Sequence, residues 1–291
     1  MNKQTRVWLV VSIALSLLAM GNACSKSGGD TNGGPTATTA ATEKWSGATG
    51  TIAGVISFEG TPPAPKKIDT AADPVCGQKN PNLMTDDTVV KDGKLANVFV
   101  YVKEGTVEGG KKFADYTWDV PTTPLKLDQN GCHYVPHVMG VMVNQKIQIT
   151  NSDATQHNIH WTPKNNPEWN QSQPNGAPPI EKTFGRAEVL VPVKCNQHPW
   201  MRSYIGVLKH PMFDVSKDTG AYEIKGVPPG KYTVVAWREG GVPEKTMEVT
   251  VTANGAAKAD FSFGGGAATS SNAPSSLQMM PAIEFPMIGK H

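Results

Sequence analysis

The sequence lacks the motifs that mark the common enzyme classes. It contains no GxSxG nucleophile turn, no HExxH zinc motif, no Walker phosphate loop and no CxxCH haem attachment motif. Its Asp and Glu residues are scattered, and none are paired in the way that glycoside hydrolysis requires. The sequence therefore offers no catalytic constellation for hydrolysis, nucleotide chemistry or haem chemistry.

An excess of charge of one sign is also lacking. The chain has 27 basic and 25 acidic residues, and the two basic residues Lys3 and Arg6 fall within the N-terminal leader described below. The remainder is balanced and contains no basic cluster. Because nucleic-acid binding depends on concentrated positive charge, we expect no nucleic-acid partner.

A long helical period is the third absence. The composition is rich in Gly and Pro, and Val, Thr and Ile recur in short runs between turn residues, a pattern that favours β-strands. A chain of 291 residues is long enough for about two domains with their own cores. We therefore predict an all-β protein of about two domains.

The long apolar run from Val7 to Met20 follows Lys3 and Arg6. It is too short for a permanent membrane helix and ends in the small residues 21–23, so residues 1–23 are predicted to be an export signal peptide. Cys24 follows directly and resembles the lipidated cysteine of a bacterial lipobox, although that pattern prefers Leu where this chain has Gly21. The resemblance implies an exported lipoprotein, anchored to a membrane through Cys24 at the periplasmic face or the cell surface.

Two segments have little to bury. Residues 24–49 are rich in Gly, Ser, Thr, Pro and Ala, a composition that predicts a flexible tether. Residues 264–291 begin in the same way, so we predict a disordered tail. The folded part of the chain is then expected between residues 50 and 263.

Strand signals occur at both ends of this folded part, at 51–60, 95–105 and 220–240. They resemble the carboxypeptidase-regulatory-like family of small β-sandwiches, whose DxxGxYxIxxxPPGxYxxxAW pattern is present here as Asp218, Gly220, Tyr222, Ile224, Pro228, Pro229, Gly230, Tyr232 and Trp237. Because a different pattern separates the opening strands from the closing strands, we predict one sandwich of residues 50–112 and 211–263, interrupted by an inserted domain at 113–210. Two consecutive β domains are the alternative arrangement.

The inserted stretch contains a metal-ligand pattern. His157 follows a predicted strand, and Cys195, His198 and Met201 form a CxxHxxM turn farther along the chain. A thiolate, two imidazoles and a thioether are the donor set of a trigonal copper site with a weak axial ligand. We therefore predict one copper ion, cycling between Cu(I) and Cu(II), at these four residues.

This pattern, from about Thr123 to Lys209, resembles the cupredoxins, and the CxxHPxM loop with the HNIH segment is most similar to amicyanin and plastocyanin-related blue copper proteins. The resemblance implies a Greek-key β-sandwich and a type 1 copper site. It also implies that Asn158 ties the two ligand loops together by hydrogen bonds, and that Pro199 and Trp200 form a candidate docking surface around His198. A turn Asn and a core Trp are the alternatives for Asn158 and Trp200.

Cys76 and Cys132 remain once the other two cysteines have been given a role. Exported thiols are usually paired, lipidated or metal-bound. With Cys24 and Cys195 assigned, a Cys76–Cys132 disulfide is the natural prediction. His133 and His137 flank Tyr134 next to Cys132; a second metal site there is an alternative to a structural turn.

Three functions follow from these patterns. The leading one is single-electron transfer between redox proteins that dock transiently, without enzymatic activity, because the four-ligand set leaves no open position for a substrate. The second is a copper delivery or storage lipoprotein with the same ligands. The third is a surface structural or carbohydrate-binding β-sandwich, for which the sequence itself gives no support.

Overall fold

The structure is a computed structural model that describes residues 43–264, and within this range the chain is almost entirely strand. The elements are β1 (Glu43–Lys44), β2 (Gly50–Glu59), α1 (Pro74–Lys79), β3 (Val90–Lys91), β4 (Lys94–Leu95), β5 (Phe99–Val107), a 3₁₀ turn (Phe113–Asp115), β6 (Tyr116–Thr117), β7 (Leu125–Gln129), β8 (Tyr134–Val135), β9 (Val138–Met142), β10 (Ile147–Asn151), β11 (His157–Trp161), β12 (Trp169–Gln173), β13 (Ile180–Lys182), β14 (Glu188–Lys194), β15 (Arg202–Leu208), β16 (Phe213–Val215), β17 (Ala221–Val227), β18 (Gly230–Trp237), β19 (Lys245–Val251), β20 (Ala256–Lys258) and β21 (Phe261–Gly264). The predicted all-β class is confirmed.

One pair of sheets is built from the two ends of the described chain. Its four-stranded sheet has the order β16-β5-β18-β19, and its other sheet has the order β17-β2-β4-β3, with β20 and β21 also paired to β2. Alternate residues of these strands, such as Ile52, Val100 and Val234, are buried in one core between the two sheets, as the period of two in a half-buried strand requires. We call this sheet pair the outer sandwich.

The second pair of sheets is built from the middle of the chain. One sheet has the order β13-β10-β7-β8 and the other the order β12-β11-β14-β15-β9. Strands β7 and β10 are parallel, as are β9 and β15. Ile149, Ile159 and Val193 lie in the core between the sheets. We call this pair the central sandwich; whether the chain divides into domains at residues 112 and 210 stays a prediction.

The two sandwiches are in contact through a smaller apolar cluster that includes Phe99, Tyr101 and Val235 from the outer sandwich. Gly140 on β9 lies opposite Gly206 on β15, and the Phe99 ring packs where these two residues have no side chain. A Cβ atom on Gly206 would lie 2.3 Å from this ring. The glycine pair therefore permits the close approach of the two sheets.

Residues 61–89 do not follow the predicted boundaries. They lie between β2 and β3 of the outer sandwich, yet Cys76 on α1 and Leu83 after it are buried in the core of the central sandwich. Helix α1 begins at the N-cap Asp73, whose side chain accepts hydrogen bonds from the amides of Val75 and Cys76. This excursion brings a carboxylate to the central sandwich, where it contacts the site described below.

The last residues of the predicted flexible tether also differ from the prediction, because they include a strand. Residues 43–49 include β1, which pairs in parallel with β6, and the ring of Trp45 packs edge-on against Tyr116. Trp45 has a large apolar ring that this contact buries, whereas its Gly- and Thr-rich neighbours have little apolar surface to bury. The predicted signal peptide, Cys24, the rest of the predicted tether and residues 265–291 lie outside the described residues.

Among residues 43–264, no helix has the length and apolar character needed to cross a membrane.

Candidate metal centre

Three of the four predicted ligands lie together at one end of the central sandwich. His157 begins β11, Cys195 follows β14, and His198 lies in the turn between β14 and β15. Their donor atoms lie within 4.8 Å of one another. All three residues are buried, with exposed fractions of 0% for His157, 2% for Cys195 and 4% for His198.

The two imidazoles face each other through their Nδ1 atoms, which are 2.9 Å apart. The Sγ atom of Cys195 lies 3.6 Å from Nδ1 of His198. Two inward-facing Nδ1 lone pairs at this separation repel each other unless a proton or a cation lies between them. The sulfur and both ring nitrogens therefore converge on a point suited to a positive charge.

The outer nitrogen of each ring contacts a carboxylate. Nε2 of His157 lies 2.9 Å from Oδ2 of Asp153, and Nε2 of His198 lies 2.8 Å from Oδ2 of Asp73. A carboxylate accepts a hydrogen bond from the protonated Nε2 and so leaves Nδ1 as the nitrogen with the free lone pair. Both rings are thus oriented as metal ligands are oriented in proteins.

Asp153 is held by more than His157. Its oxygens accept hydrogen bonds from the backbone amides of Gly131 and Cys132, and Lys79 lies 2.9 Å away as an ion-pair partner. Burial would raise the pKa of this carboxyl group, but the hydrogen bonds with His157 and Lys79 hold it well below its ordinary value. The group is therefore a fixed negative charge beside the imidazole.

The surroundings of Cys195 favour loss of its thiol proton. Burial raises the pKa of Cys195, but hydrogen bonds with His157 and His198 outweigh it and lower the pKa to about 6. The same contacts act on His157, whose pKa is depressed by burial yet raised overall to about 8 by Asp153 and Cys195. Because the thiolate is the form that binds metals, this environment favours a metal ligand.

Asn158 connects β11 to the CxxHxxM turn. Its Oδ1 accepts hydrogen bonds from the backbone amide of Asn196, at 2.7 Å, and from the Sγ of Cys195, at 3.2 Å. Its Nδ2 donates to Oδ1 of Asn170 on the neighbouring strand. One buried amide therefore fixes β11 relative to the turn that carries Cys195.

Met201 closes the same turn. Its side chain is fully buried in the core that contains Cys195, its amide donates to the carbonyl of His198, and its carbonyl accepts from the amide of Cys195. These two bonds hold the CxxHxxM turn closed. The role of Met201 as an axial ligand stays a prediction.

Pro199 and Trp200 border a cavity of about 500 Å³. Pro199 is exposed, whereas Trp200 is half-buried, and its indole N–H donates to the carbonyl of Cys132. The Trp200 ring lies 5.1 Å from that of His198. Trp200 thus packs in the core while touching the cavity, and a docking role for the two residues stays a prediction.

Cys76 and Cys132 form a disulfide. This bond joins α1 to the turn between β7 and β8, next to Asp153. Of the cysteines among residues 43–264, only Cys195 forms no disulfide.

The other histidines lie outside the cluster. His160, three residues after His157, contacts Asn196 and Glu168. His137 and His133 both face Asp86, at 3.4 and 3.3 Å, and His137 also contacts Glu239. Within residues 43–264, neither His133 nor His137 belongs to a group of three donors close enough to share a metal ion.

The sequence analysis did not predict that Asp153 and Asp73 contact the two imidazoles. Asp153 had a local signal, since it precedes His157 by four residues in a turn. Asp73 had a weaker one, the Asp-Pro pair that is typical of a helix start; its contact with His198 joins residues 125 positions apart.

The donor set fits a copper ion. A soft thiolate and two imidazoles suit copper in both oxidation states. His157, Cys195 and His198 are the residues that would hold it, and the thioether of Met201, the predicted fourth donor, would favour copper over zinc.

Comparisons with known proteins match parts of the chain. Residues 212–259 match the family described as polysaccharide lyase family 4, domain II. No curated protein sequence matches the chain.

Solved structures with partial similarity include cupredoxins. An amicyanin mutant in the oxidized state aligns at 23% identity over 29% of this chain and 81% of its own, with a TM-score of 0.26. A purple cupredoxin from Nitrosopumilus maritimus aligns at 20% identity over 28% of this chain and 98% of its own, with a TM-score of 0.25. A copper-containing nitrite reductase from Thermus scotoductus SA-01 aligns at 17% identity over 30% of this chain, with a TM-score of 0.27, and only 23% of its own length is covered.

Proposed function

We propose that this chain is an exported copper protein that carries single electrons and is not an enzyme. The observation that supports this most is the convergence of the Cys195 sulfur with the inner nitrogens of His157 and His198, while both outer nitrogens contact carboxylates. When bound, copper supplies a one-electron couple between Cu(II) and Cu(I). Met201 completes the proposed ligand set.

The protein's own residues would keep the site rigid and dry. The three donor residues are at most 4% exposed, so water has little access to them. Asn158, Asp153 and Asp73 each hold a donor side chain or its loop in place. A site fixed in this way changes little between two charge states, which suits an electron carrier better than a site that must release its ion.

Partners and location are part of the proposal. We infer transient docking with redox proteins near Pro199, an exposed residue of the CxxHxxM turn that lies next to His198. Attachment to a membrane through Cys24 would place the site at the periplasmic face or the cell surface.

The direct test is the visible and electron paramagnetic resonance spectrum of the protein loaded with Cu(II). An intense blue thiolate charge-transfer band is expected, and it should vanish in Cys195→Ser and change strongly in His157→Gln. His160→Gln is the matched control, because His160 lies on the same strand but outside the cluster. A colourless Cu(II) complex, or equal effects of the two histidine substitutions, contradicts the proposal.

Copper delivery or storage would use the same residues but requires ready exchange. Competition against a chelator separates the two functions. An electron carrier should keep its ion through repeated reduction and oxidation, whereas a delivery protein should lose it within each cycle.

A second candidate function concerns the outer sandwich. The match of residues 212–259 to a polysaccharide lyase domain favours polysaccharide binding by this part of the chain. Binding of soluble polysaccharides would be measured by calorimetry. This function predicts equal binding by the wild type and Cys195→Ser, and absence of heat for a panel of neutral and acidic polysaccharides contradicts it.

A further inference from the structure

The outer nitrogen of His198 is covered by a residue far away in sequence. His198 is 4% exposed, and its Nε2 lies 2.8 Å from Oδ2 of Asp73, a residue of the excursion that carries α1. We propose that Asp73 is a positioning residue that holds the imidazole of His198 with Nδ1 facing Cys195. This inference rests on the proposed function of the site as a metal centre.

The two oxygens of Asp73 have separate partners. Oδ1 accepts the hydrogen bonds of the helix N-cap, from the amides of Val75 and Cys76. Oδ2 accepts from the hydroxyl of Thr155, at 2.8 Å, and faces His198. The carboxylate is therefore fixed on both sides, and the helix cap and the imidazole use different atoms.

The position of Asp73 is maintained by covalent and ionic contacts of α1. The Cys76–Cys132 disulfide joins the helix to the central sandwich, and Lys79 at the helix end pairs with Asp153. Asp153 in turn contacts His157. One short helix thus contributes directly to the surroundings of one imidazole and, through Lys79, to those of the other.

The effect on His198 is a choice of orientation and tautomer. An imidazole carries one proton when neutral, and a carboxylate at Nε2 selects the form with the proton there. A half-turn of the ring would replace the Nε2 contact with a carbon and would also move Nδ1 away from Sγ of Cys195. Asp73 stabilises the single arrangement in which the inner nitrogen is a free donor.

Two substitutions separate this role from the helix cap. Asp73→Asn keeps an N-cap oxygen but presents an N–H group where His198 needs an acceptor. Asp73→Ser also keeps an N-cap, with a side chain too short to reach the ring; Asn and Ser cap helices about as well as Asp. Asp69→Asn is the matched control, because it removes the same charge from an exposed carboxylate whose contact is the amide of Ala71.

The first measurement uses the full chain without metal. Nitrogen-15 NMR of the histidine rings reports which nitrogen of His198 carries the proton and how fast it exchanges with water. Asp73→Asn and Asp73→Ser are expected to reduce the Nε2–H form and to speed exchange, while Asp69→Asn leaves both unchanged. An unaltered His198 ring in both Asp73 variants overturns the inference.

The second measurement is copper loss from the loaded full chain to a chelator. Removing an outer carboxylate typically weakens metal binding about 10- to 100-fold, so both Asp73 variants should lose copper faster by a factor in this range, with urea midpoints close to that of Asp69→Asn. Equal rates in all three variants overturn the inference. A wild-type chain that binds no copper overturns the proposed function instead, and the NMR result then decides the role of Asp73 alone.

Discussion

The side-chain oxygen of Asn158 lies 3.2 Å from the sulfur of Cys195 and 2.7 Å from the amide nitrogen of Asn196, so that one buried residue satisfies two donors on the ligand turn. Asn158→Ala would leave the amide of Asn196 without this acceptor and create a small cavity. We expect a loss of about 1–3 kcal/mol in the free energy of unfolding, measured by urea denaturation, and an altered charge-transfer band in the copper-loaded protein.

Asn170→Ala is the control for this substitution. It removes only the contact between Nδ2 of Asn158 and the side chain of Asn170, which is exposed. Its effect should stay within about 0.5 kcal/mol. Equal losses for the two variants would show that the oxygen of Asn158 has no special importance.

The contact between the sandwiches gives a second prediction. Gly206→Val would place a side chain where the Phe99 ring lies, since a Cβ atom there would be 2.3 Å from the ring. We expect a loss of about 1–3 kcal/mol from overpacking, measured as a lower urea midpoint. Gly185→Val is the control, because Gly185 has open space around its Cα position, and a comparable loss there would contradict the assignment to Phe99.

The buried His137 predicts a pH dependence of stability. Burial lowers its pKa, but contacts with Asp86 and Glu239 raise it from 6.5 to about 9. A raised pKa means that the folded protein holds the proton more tightly than the unfolded chain. The stabilisation is therefore complete below pH 6.5 and is lost as the pH rises through about 9.

The test compares the wild type with His137→Gln at both ends of that range. The wild type should lose on the order of 1–3 kcal/mol more than the variant between these two pH values. The groups that face His137 are Asp86, Glu239 and, through Glu239, the hydroxyl of Tyr204. Parallel pH profiles for the two proteins would contradict the prediction.

The disulfide predicts a large effect on stability. The residues it joins are separated by 56 positions, and the loop-entropy relation gives about 4 kcal/mol for a loop of this length. The double variant Cys76→Ser, Cys132→Ser should lose free energy of unfolding of this order in urea. It should also lose copper faster than the wild type, because α1 would no longer hold Asp73 beside His198. A variant with a lowered urea midpoint but an unchanged copper-loss rate would contradict the predicted role of α1 in holding Asp73 beside His198.

The central part of the site could be predicted because its signals are local. Cys195, His198 and Met201 belong to one short turn, and His157 follows a recognisable strand pattern. The structure brings Cys195 and His198 together with His157, and Asn158, next to His157 on β11, contacts the turn that carries Cys195. Spacing within a motif is enough for such residues, since the two ends of the turn are fixed on adjacent strands.

The remainder could not be predicted because its contacts cross the whole chain. Nothing near Asp73 in sequence indicates that it faces His198, and residues 61–89 carry no pattern that assigns them to the central sandwich. The structure of residues 43–49, at the end of the predicted tether, could not be predicted for a related reason. Composition describes the average of residues 24–49, whereas one aromatic residue, Trp45, determines where the last of them lie.

The chain leaves the outer sandwich twice and returns twice, first with α1 between β2 and β3 and then with β7 to β15 between β6 and β16. Two domains joined by a single linker can rotate about it, but here the chain crosses between the two sandwiches four times, and four crossings leave no such hinge. We therefore expect the two sandwiches to move as one body. Any change in the distance between the candidate metal centre and the outer sandwich would require the Phe99 ring to leave Gly206.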